Sequence, residues 1–394
     1  MEDQFHIDVG CQQIFCHNER ICGDVFLSKK IKEEGRIIAV LSDGMGHGVK
    51  ANILGTLTAT FALNFTIEHK EKNRTAEIII NTLPECSERK TGYATFTVID
   101  IELNGQTHIL EYDNPQCIIV RGKKILEPEW TCLMINSKKS QSKEIKSCSI
   151  YPKKEDRIIF FTDGVSQSGL GSNVLTMGWG VNGAKQYIQN LINKEPNIAA
   201  NKLATKVINE AYKNDVFKAK DDISCCVIYF REPRKLLLVS GPPFEEEKDK
   251  EFANLINEFA GTKIVCGGTT GDILARELNL AIEEGKDIDD PELPPISFIE
   301  SIDLYTEGIL TLSKVNRILQ NYNSNIQLGK GPADLIARNL LDSDQISFLI
   351  GTRINVAHQD PNLPVELEIR RTVIRRIARL LEEKFLKVVE IKYL

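Results

Sequence analysis

Four short acid-bearing islands interrupt the apolar runs of this chain, and their placement constrains its fold more than any other feature. They are Gly23-Asp24, Asp43-Gly44-Met45-Gly46-His47-Gly48, Asp163-Gly164 and Asp221-Asp222. The run Arg36-Ile37-Ile38-Ala39-Val40-Leu41-Ser42 leads into Asp43, and Arg157-Ile158-Ile159-Phe160-Phe161-Thr162 leads into Asp163. Asp221-Asp222 stands just before Ile223-Ser224-Cys225-Cys226-Val227-Ile228-Tyr229-Phe230. Apolar runs of this length, bounded by turn residues, read as buried strands. A strand leaves its end residue little positional freedom. Carboxylates at strand ends can therefore be aimed at one point from far apart in sequence.

Aspartates gathered without lysine or arginine partners repel one another and resist desolvation. Hard divalent cations resolve that cost. Mg²⁺ or Mn²⁺ takes oxygen ligands at about 2.1 Å and keeps several waters. Two such ions about 3.5–4 Å apart activate a water and clamp a phosphoryl oxygen. Gly44 and Gly164 follow two of the acids, and a residue without a Cβ lets the backbone turn sharply and offer a carbonyl to an ion. One Asp-Gly alone reads as an ordinary turn. Four islands at strand ends, one of them a six-residue Asp-Gly-Met-Gly-His-Gly, read as a metal centre.

Over residues 5–231 the chain resembles the metal-dependent protein serine/threonine phosphatases of the type 2C class, in the bacterial branch typified by the sporulation stage II protein E phosphatase. Leu41-Ser42-Asp43-Gly44-Met45-Gly46-His47-Gly48 is the most specific part of the resemblance. Cys22-Gly23-Asp24-Val25-Phe26, Gly92-Tyr93-Ala94-Thr95-Phe96-Thr97-Val98-Ile99-Asp100, Phe160-Phe161-Thr162-Asp163-Gly164-Val165 and Lys220-Asp221-Asp222-Ile223-Ser224 follow in the family's order. The resemblance implies two Mn²⁺ or Mg²⁺ ions bridged by Asp43. The Gly44 carbonyl would bind one ion, Asp163 and Asp221 the other, and Asp24 would sit close by through waters. Asp43, Asp163 and Asp221 are then the catalytic set. The eukaryotic branch has a histidine, proposed as general acid, where this chain has Met45, so the leaving-group proton needs another source. His47 is not at the same position and reads as a turn-stabilising imidazole. Arg20, four residues before Asp24, is one residue off the usual place of a phosphate-binding arginine and is a weak candidate for that role.

The net charge of −6 gives no general electrostatic reason to bind nucleic acid or an anionic membrane. No apolar run approaches the roughly 18–20 residues that span a bilayer, and the acidic start of the chain has no signal core. A cytoplasmic enzyme is expected, without the membrane or sensory module that often precedes this family's catalytic domain. Ten cysteines with no Cys-x-x-Cys pair suggest reduced thiols. Cys11, Cys16 and Cys22, with His17, match no strong metal template.

Residues 5–15 and 20–28 read as the strands of a hairpin, 36–42 as the next strand, and 48–69 as a helix buried on much of its surface. A second helix is expected at 75–83. Strands follow at 91–103, 106–112, 116–121 and 124–127, then an exposed lysine- and serine-rich loop at 137–143. A strand at 157–162, helices at 182–193 and 197–213, and a strand at 223–230 complete the unit. Long helices among mainly antiparallel strands predict an α-β-β-α sandwich, which the resemblance also implies.

Arg231-Glu232-Pro233-Arg234 marks the expected boundary, giving a phosphatase domain at 1–231 and a second domain at 235–394. Here strands at 235–240, 263–266, 297–305, 345–350 and 387–391 alternate with helices at 245–260, 270–284, 311–322, 332–341 and 364–385. That rhythm predicts an open, mostly parallel α/β sheet. Its strand ends carry glycines. Gly267, Gly268 and Thr269, opening a helix, and Arg353 are candidates for a small anionic ligand.

The expected function is hydrolysis of phosphoserine and phosphothreonine by a metal-activated water in bacterial signalling. The substrate would be a phosphorylated protein, of which an anti-sigma-factor antagonist is one type. The alternatives are a catalytically weak regulatory binding protein, or a bifunctional protein with a small-anion-binding C-terminal domain.

Overall fold

The computed structural model describes residues 5–31, 33–68, 77–79, 81–82, 94–102, 105–135, 143–285, 289–322, 328–353, 363–385 and 387–394. Two compact units divide the chain, Met1–Glu232 and Pro233–Leu394. The first contains β1 (His6–Ile14), β2 (Val25–Ile31), β3 (Arg36–Gly44), α1 (Gly48–Glu68), β4 (Ala94–Glu102), β5 (Thr107–Tyr112), β6 (Ile118–Arg121), β7 (Lys124–Leu126), β8 (Thr131–Ile135), β9 (Lys143–Ile150), β10 (Asp156–Phe161), α2 (Asp163–Ser166), α3 (Gly180–Lys194), α4 (Ala200–Asn214) and β11 (Ile223–Arg231).

Strands β3, β10 and β11 are apolar on both faces and so need cover on two sides. The first unit supplies it by stacking two antiparallel sheets, β1-β11-β10-β6-β7 and β2-β3-β4-β5-β9-β8. Side chains alternate along each strand. Ile37, Ala39 and Leu41 of β3 meet Ile158, Phe160, Cys226 and Ile228 between the sheets. Ile38 and Val40 point the other way, onto Ala59 and Ala62 of α1. The outer face of the other sheet, with Ile159, Phe161, Cys225 and Val227, is covered by Ala184 and Ile188 of α3 and Leu203 and Val207 of α4. The layers run helix, sheet, sheet, helix.

Three expectations change. β1 and β2 are not a hairpin: β1 pairs with β11 and β2 with β3, in different sheets. The backbone between them turns at Cys16–Glu19 and is anchored by a carboxylate, since Asp222 accepts the N–H groups of Cys16 and Gly23 at 2.9 and 2.8 Å. α1 buries one stripe of small residues, Ala51, Gly55, Thr58, Ala59, Ala62 and Thr66, and leaves Val49, Ile53 and Leu57 exposed. Strands β8 and β9 were not foreseen. In β9, exposed Glu144 precedes buried Ile145, and exposed Lys146 and half-buried Ser147 separate it from buried Cys148, so no apolar run announces the strand. Of the helix expected at 75–83, the described residues 77–79 and 81–82 are helical. The loop expected at 137–143 lies outside the described residues except for Lys143, which begins β9 and is buried.

The second unit contains β12 (Lys235–Ser240), α5 (Asp249–Asn257), β13 (Thr262–Cys266), α6 (Gly268–Leu278), β14 (Ile282–Glu283), β15 (Phe298–Ile299), β16 (Leu304–Thr306), α7 (Ile309–Asn321), α8 (Pro332–Asp342), β17 (Gln345–Ile350), α9 (Leu363–Glu383) and β18 (Val388–Tyr393). Its main sheet, β16-β13-β12-β17-β18, is parallel throughout. Helices α5 and α6 cover one face and α7, α8 and α9 the other. The helix expected to reach residue 284 ends at Leu278, where Asn279 takes a left-handed φ of 57°. The strand expected at 297–305 is broken. β15 pairs with β14, Ser301 turns at φ 68°, and β16 then joins the parallel sheet. Among the described residues no helix is long and apolar enough to cross a membrane.

Candidate metal centre

Asp43 is the penultimate residue of β3, Asp163 lies two residues past β10 and opens α2, Asp221 stands two residues before β11, and Asp24 immediately precedes β2. Two sheets thus deliver four acids through their strand ends. Asp24 is buried at 2% exposure. Its Oδ2 accepts the Thr162 hydroxyl at 2.8 Å, and Thr162 Oγ1 in turn accepts the Ser224 N–H at 3.2 Å. One hydroxyl therefore ties together the approaches to β2, α2 and β11. The Asp163 Oδ2 accepts from Gln167 Nε2 at 2.7 Å, one helical turn on. Asp43 and Asp163 share a hydrogen bond between their carboxyl groups.

The electrostatics are those of uncompensated acids. Burial, followed by the charges of Asp24, Asp163 and Asp221, pushes Asp43 up to about 10. Burial raises Asp24 well above the usual carboxylate range and raises Asp163 as well. Burial pushes Asp221 up to about 6, with Asp163 and Asp222 adding to it and His47 opposing. Among the described residues no lysine or arginine offsets these charges.

Two carboxylate oxygens, Asp24 Oδ1 and Asp163 Oδ1, are buried with no hydrogen-bond partner. A buried acceptor left without a donor costs about 1–3 kcal/mol. A cation removes that cost, so this donor set, all hard oxygen, fits Mg²⁺ or Mn²⁺. Among the described residues no group of three or more His, Cys, Asp or Glu side chains is yet gathered as a ready ligand set. The acids are instead engaged separately, Asp43 with Asp163, Asp24 with Thr162, and Asp163 also with Gln167.

The glycines after two of the acids have a packing reason. A Cβ on Gly44 would lie 2.0 Å from the Ala51 carbonyl oxygen of α1, and one on Gly164 would lie 2.1 Å from the Asp222 carbonyl oxygen. Neither has a positive φ. They let α1 and the residue before β11 approach the acids closely, in place of the sharp turns expected. His47 is exposed and its Nδ1 stands 2.6 Å from Glu19 Oε1. Arg20 lies exposed on the segment between β1 and β2. Sequence reasoning missed three supports, Thr162, Gln167 and the carboxylate of Asp222. Thr162 and Asp222 each adjoin a flagged acid, and that adjacency was the available signal.

In the second unit Gly267 turns at φ 124° and its N–H donates to the Thr306 carbonyl, while Gly268 begins α6 with no atom within 4 Å of a Cβ placed there. Thr269 is the next residue of that helix. Arg353 is not positioned for an anion. Its Nη2 is 2.5 Å from Asp249 Oδ1 and its Nε donates to the Pro243 carbonyl at 2.8 Å.

No curated protein matches this chain in sequence. Among solved structures it is similar to the phosphatase domain of the cell-fate determinant SpoIIE from Bacillus subtilis, at 15% identity and a TM-score of 0.45, over 58% of this chain and 94% of that one. It is similar to a structure of RsbU and RsbW domains from Mycobacterium tuberculosis, at 15% identity and a TM-score of 0.45, over 64% of this chain and 69% of that one. A further likeness is to the SiaA-PP2C domain of Pseudomonas aeruginosa, at 11% identity and a TM-score of 0.42, over 56% and 85% of the two chains. The family model for stage II sporulation protein E matches residues 33–231, beginning past Asp24 and spanning Asp43, Asp163 and Asp221, and the chain belongs to that family.

Proposed function

We propose that the chain is a divalent-cation-dependent phosphoprotein phosphatase acting on phosphoserine and phosphothreonine. The observation that carries this is the clustering of Asp24, Asp43, Asp163 and Asp221 at strand ends, with the buried oxygens Asp24 Oδ1 and Asp163 Oδ1 orphaned and no compensating lysine or arginine among the described residues. Two Mn²⁺ or Mg²⁺ ions would be held by Asp43, the Gly44 carbonyl, Asp163 and Asp221, with Asp24 near them. When bound, such ions supply the positive charge that lowers the pKa of a water and offsets the charge of a phosphoryl group in transfer.

The chain's own part is positioning. Thr162 fixes the rotamer of Asp24, and Gln167 that of Asp163. Asp222 holds the segment carrying Asp24 onto the start of β11. Met45 has no proton to give, so the leaving serine or threonine takes its proton from another donor. The substrate class is a phosphorylated regulatory protein in the bacterial cytoplasm, with an anti-sigma-factor antagonist as one type.

The reading of a catalytically weak binding protein draws on one observation, the hydrogen bond that occupies Asp43 and Asp163 with each other. Turnover separates the two. The full chain should hydrolyse a phosphoserine peptide with Mn²⁺ or Mg²⁺ and stop with a chelator. Hydrolysis at the full rate in excess chelator would remove the metal reading. Tight Mn²⁺ binding without turnover would favour the regulatory one.

A further inference from the structure

Two buried hydroxyls at the carboxyl edge of the second unit's sheet, Ser240 and Thr311, have no hydrogen-bond partner. Counted along the chain, its main sheet has the strand order 3-2-1-4-5. The neighbours β12 and β17 therefore feed helices on opposite faces, α5 from the first and α9 from the second. Beyond the ends of such a strand pair an open parallel sheet leaves a crevice.

Ser240 ends β12. Leu236 and Leu238 of the same strand face the core beneath α7, α8 and α9, so alternation turns Ser240 to that face as well. Its register partners Cys266 and Ile350 belong to the same layer. Ser240 is 1% exposed, and its hydroxyl has no hydrogen-bond partner. Thr311, in the first turn of α7, is 0% exposed and its hydroxyl also lacks a partner. Two such hydroxyls at one end of an apolar layer are a cost that nothing in the packing explains.

The thirteen-residue helix α7 starts at the same edge. A Cβ on Gly308, its N-cap, would lie 3.4 Å from the Gly267 Cα at the end of β13. A cation arrives from the third side. The inward stripe of α9 is Val373, Ile374, Ile377, Ala378 and Leu381, and Arg370 stands one turn before Ile374 on the same stripe. Its Nη1 lies 2.5 Å from where a Cβ on Gly241 would be. Gly241, at φ 86°, thus admits a guanidinium against the backbone that follows Ser240.

From this juxtaposition we propose that the carboxyl edge of the second unit binds the phosphate group of a small phosphorylated molecule. Arg370 supplies the charge, Ser240 and Thr311 the hydroxyl donors, and the first N–H groups of α7 the rest. Donors from three directions suit a tetrahedral oxyanion better than a planar carboxylate. Arg353, engaged with Asp249, takes no part.

The test is calorimetric titration of the full chain with AMP and with inorganic phosphate, in chelator so that metal at the acid centre does not contribute. Arg370→Gln should weaken binding about tenfold or more. Ser240→Ala should weaken it several-fold and yet raise the melting temperature of the unliganded protein, because it removes a partnerless buried hydroxyl. A purely structural Ser240 would move neither reading in that pair of directions. If Arg370→Gln does not fold, Ser240→Ala and Thr311→Val decide. Tighter binding of AMP assigns an organic phosphate, and equal binding assigns free phosphate. The proposal is overturned if neither probe binds below about a millimolar, or if affinity is unchanged in both hydroxyl variants.

Discussion

Buried aspartates occur in both units, and they are treated in opposite ways. In the second unit Asp249 receives two arginines, Arg353 at 2.5 Å and Arg276 at 2.6 Å. Lys314 holds Asp290 below the usual carboxylate range. The first unit does the same away from the four candidate acids, where Asp156 takes Arg121 and Asp100 takes Arg36. Around the candidate centre the rule is reversed: buried Asp24, half-buried Asp43 and Asp163 and exposed Asp221 stand near one another with their carboxyl groups pushed up. Acids are compensated elsewhere in the fold while these four are left unmatched, a contrast that supports the proposed cation site.

The contrast breaks most visibly at Asp43. Asp43→Asn should lower kcat/KM on a phosphoserine peptide by about a thousandfold, while raising the melting temperature of the chelated protein, since one mutually repelling acid is gone. A fall in that melting temperature would mean that Asp43 is structurally paired. The same change in the second unit should have the opposite sign. Asp249→Asn leaves Arg353 without its main partner and should cost about 3–5 kcal/mol in denaturant unfolding. A neutral result there would undo the comparison.

Glu111 separates burial from acid clustering. It is buried in β5 at 2% exposure, accepts the Cys117 N–H at 2.7 Å and leaves its other oxygen unpartnered. Burial pushes it up from 4.5 to about 7. A carboxyl raised on folding stabilises the folded state fully below its unfolded pKa, and that support is lost as pH climbs through the folded value. Stability should therefore fall between pH 4.5 and 7, and Glu111→Gln should remove up to about 3 kcal/mol of that slope without dependence on Mn²⁺. A slope unchanged in the variant would place the titration elsewhere. The smallest effect is expected at His47, exposed and held by Glu19. His47→Ala should keep turnover of an aryl phosphate within about tenfold, because a good leaving group needs little protonation. A loss as large as that of Asp43→Asn would make His47 part of the chemistry.

The acids were legible because a strand end followed by Asp-Gly is a local pattern, and β3, β10 and β11 are apolar enough to be seen as strands. The same held for β12, β13 and β17 in the second unit. What was not legible depended on partners distant in sequence. No local signal says that Val25–Ile31 pairs with Arg36–Ser42 while His6–Ile14 pairs with Ile223–Arg231. β9 hid its apolar face between lysines and serines. Ser301 and Asn279 broke elements by backbone turns that their residue types permit but do not require. Arg353 looked free because its partner Asp249 lies 104 residues earlier. Arg370 went unnoticed because a charged residue on a helix is ordinarily read as solvated.

The pairing of β1 with β11 also sets the order in which this chain can fold during synthesis. His6 finds its partner only in Arg231, and Ile14 only in Ile223. At about 5–20 residues per second, a ribosome spends on the order of ten seconds or more between making the two. Through that interval the first strand waits unpaired, and the segment behind it has no Asp222 to anchor its backbone. A chain released before Asp221 carries Asp24, Asp43 and Asp163 but lacks β11, the strand that pairs with both β1 and β10.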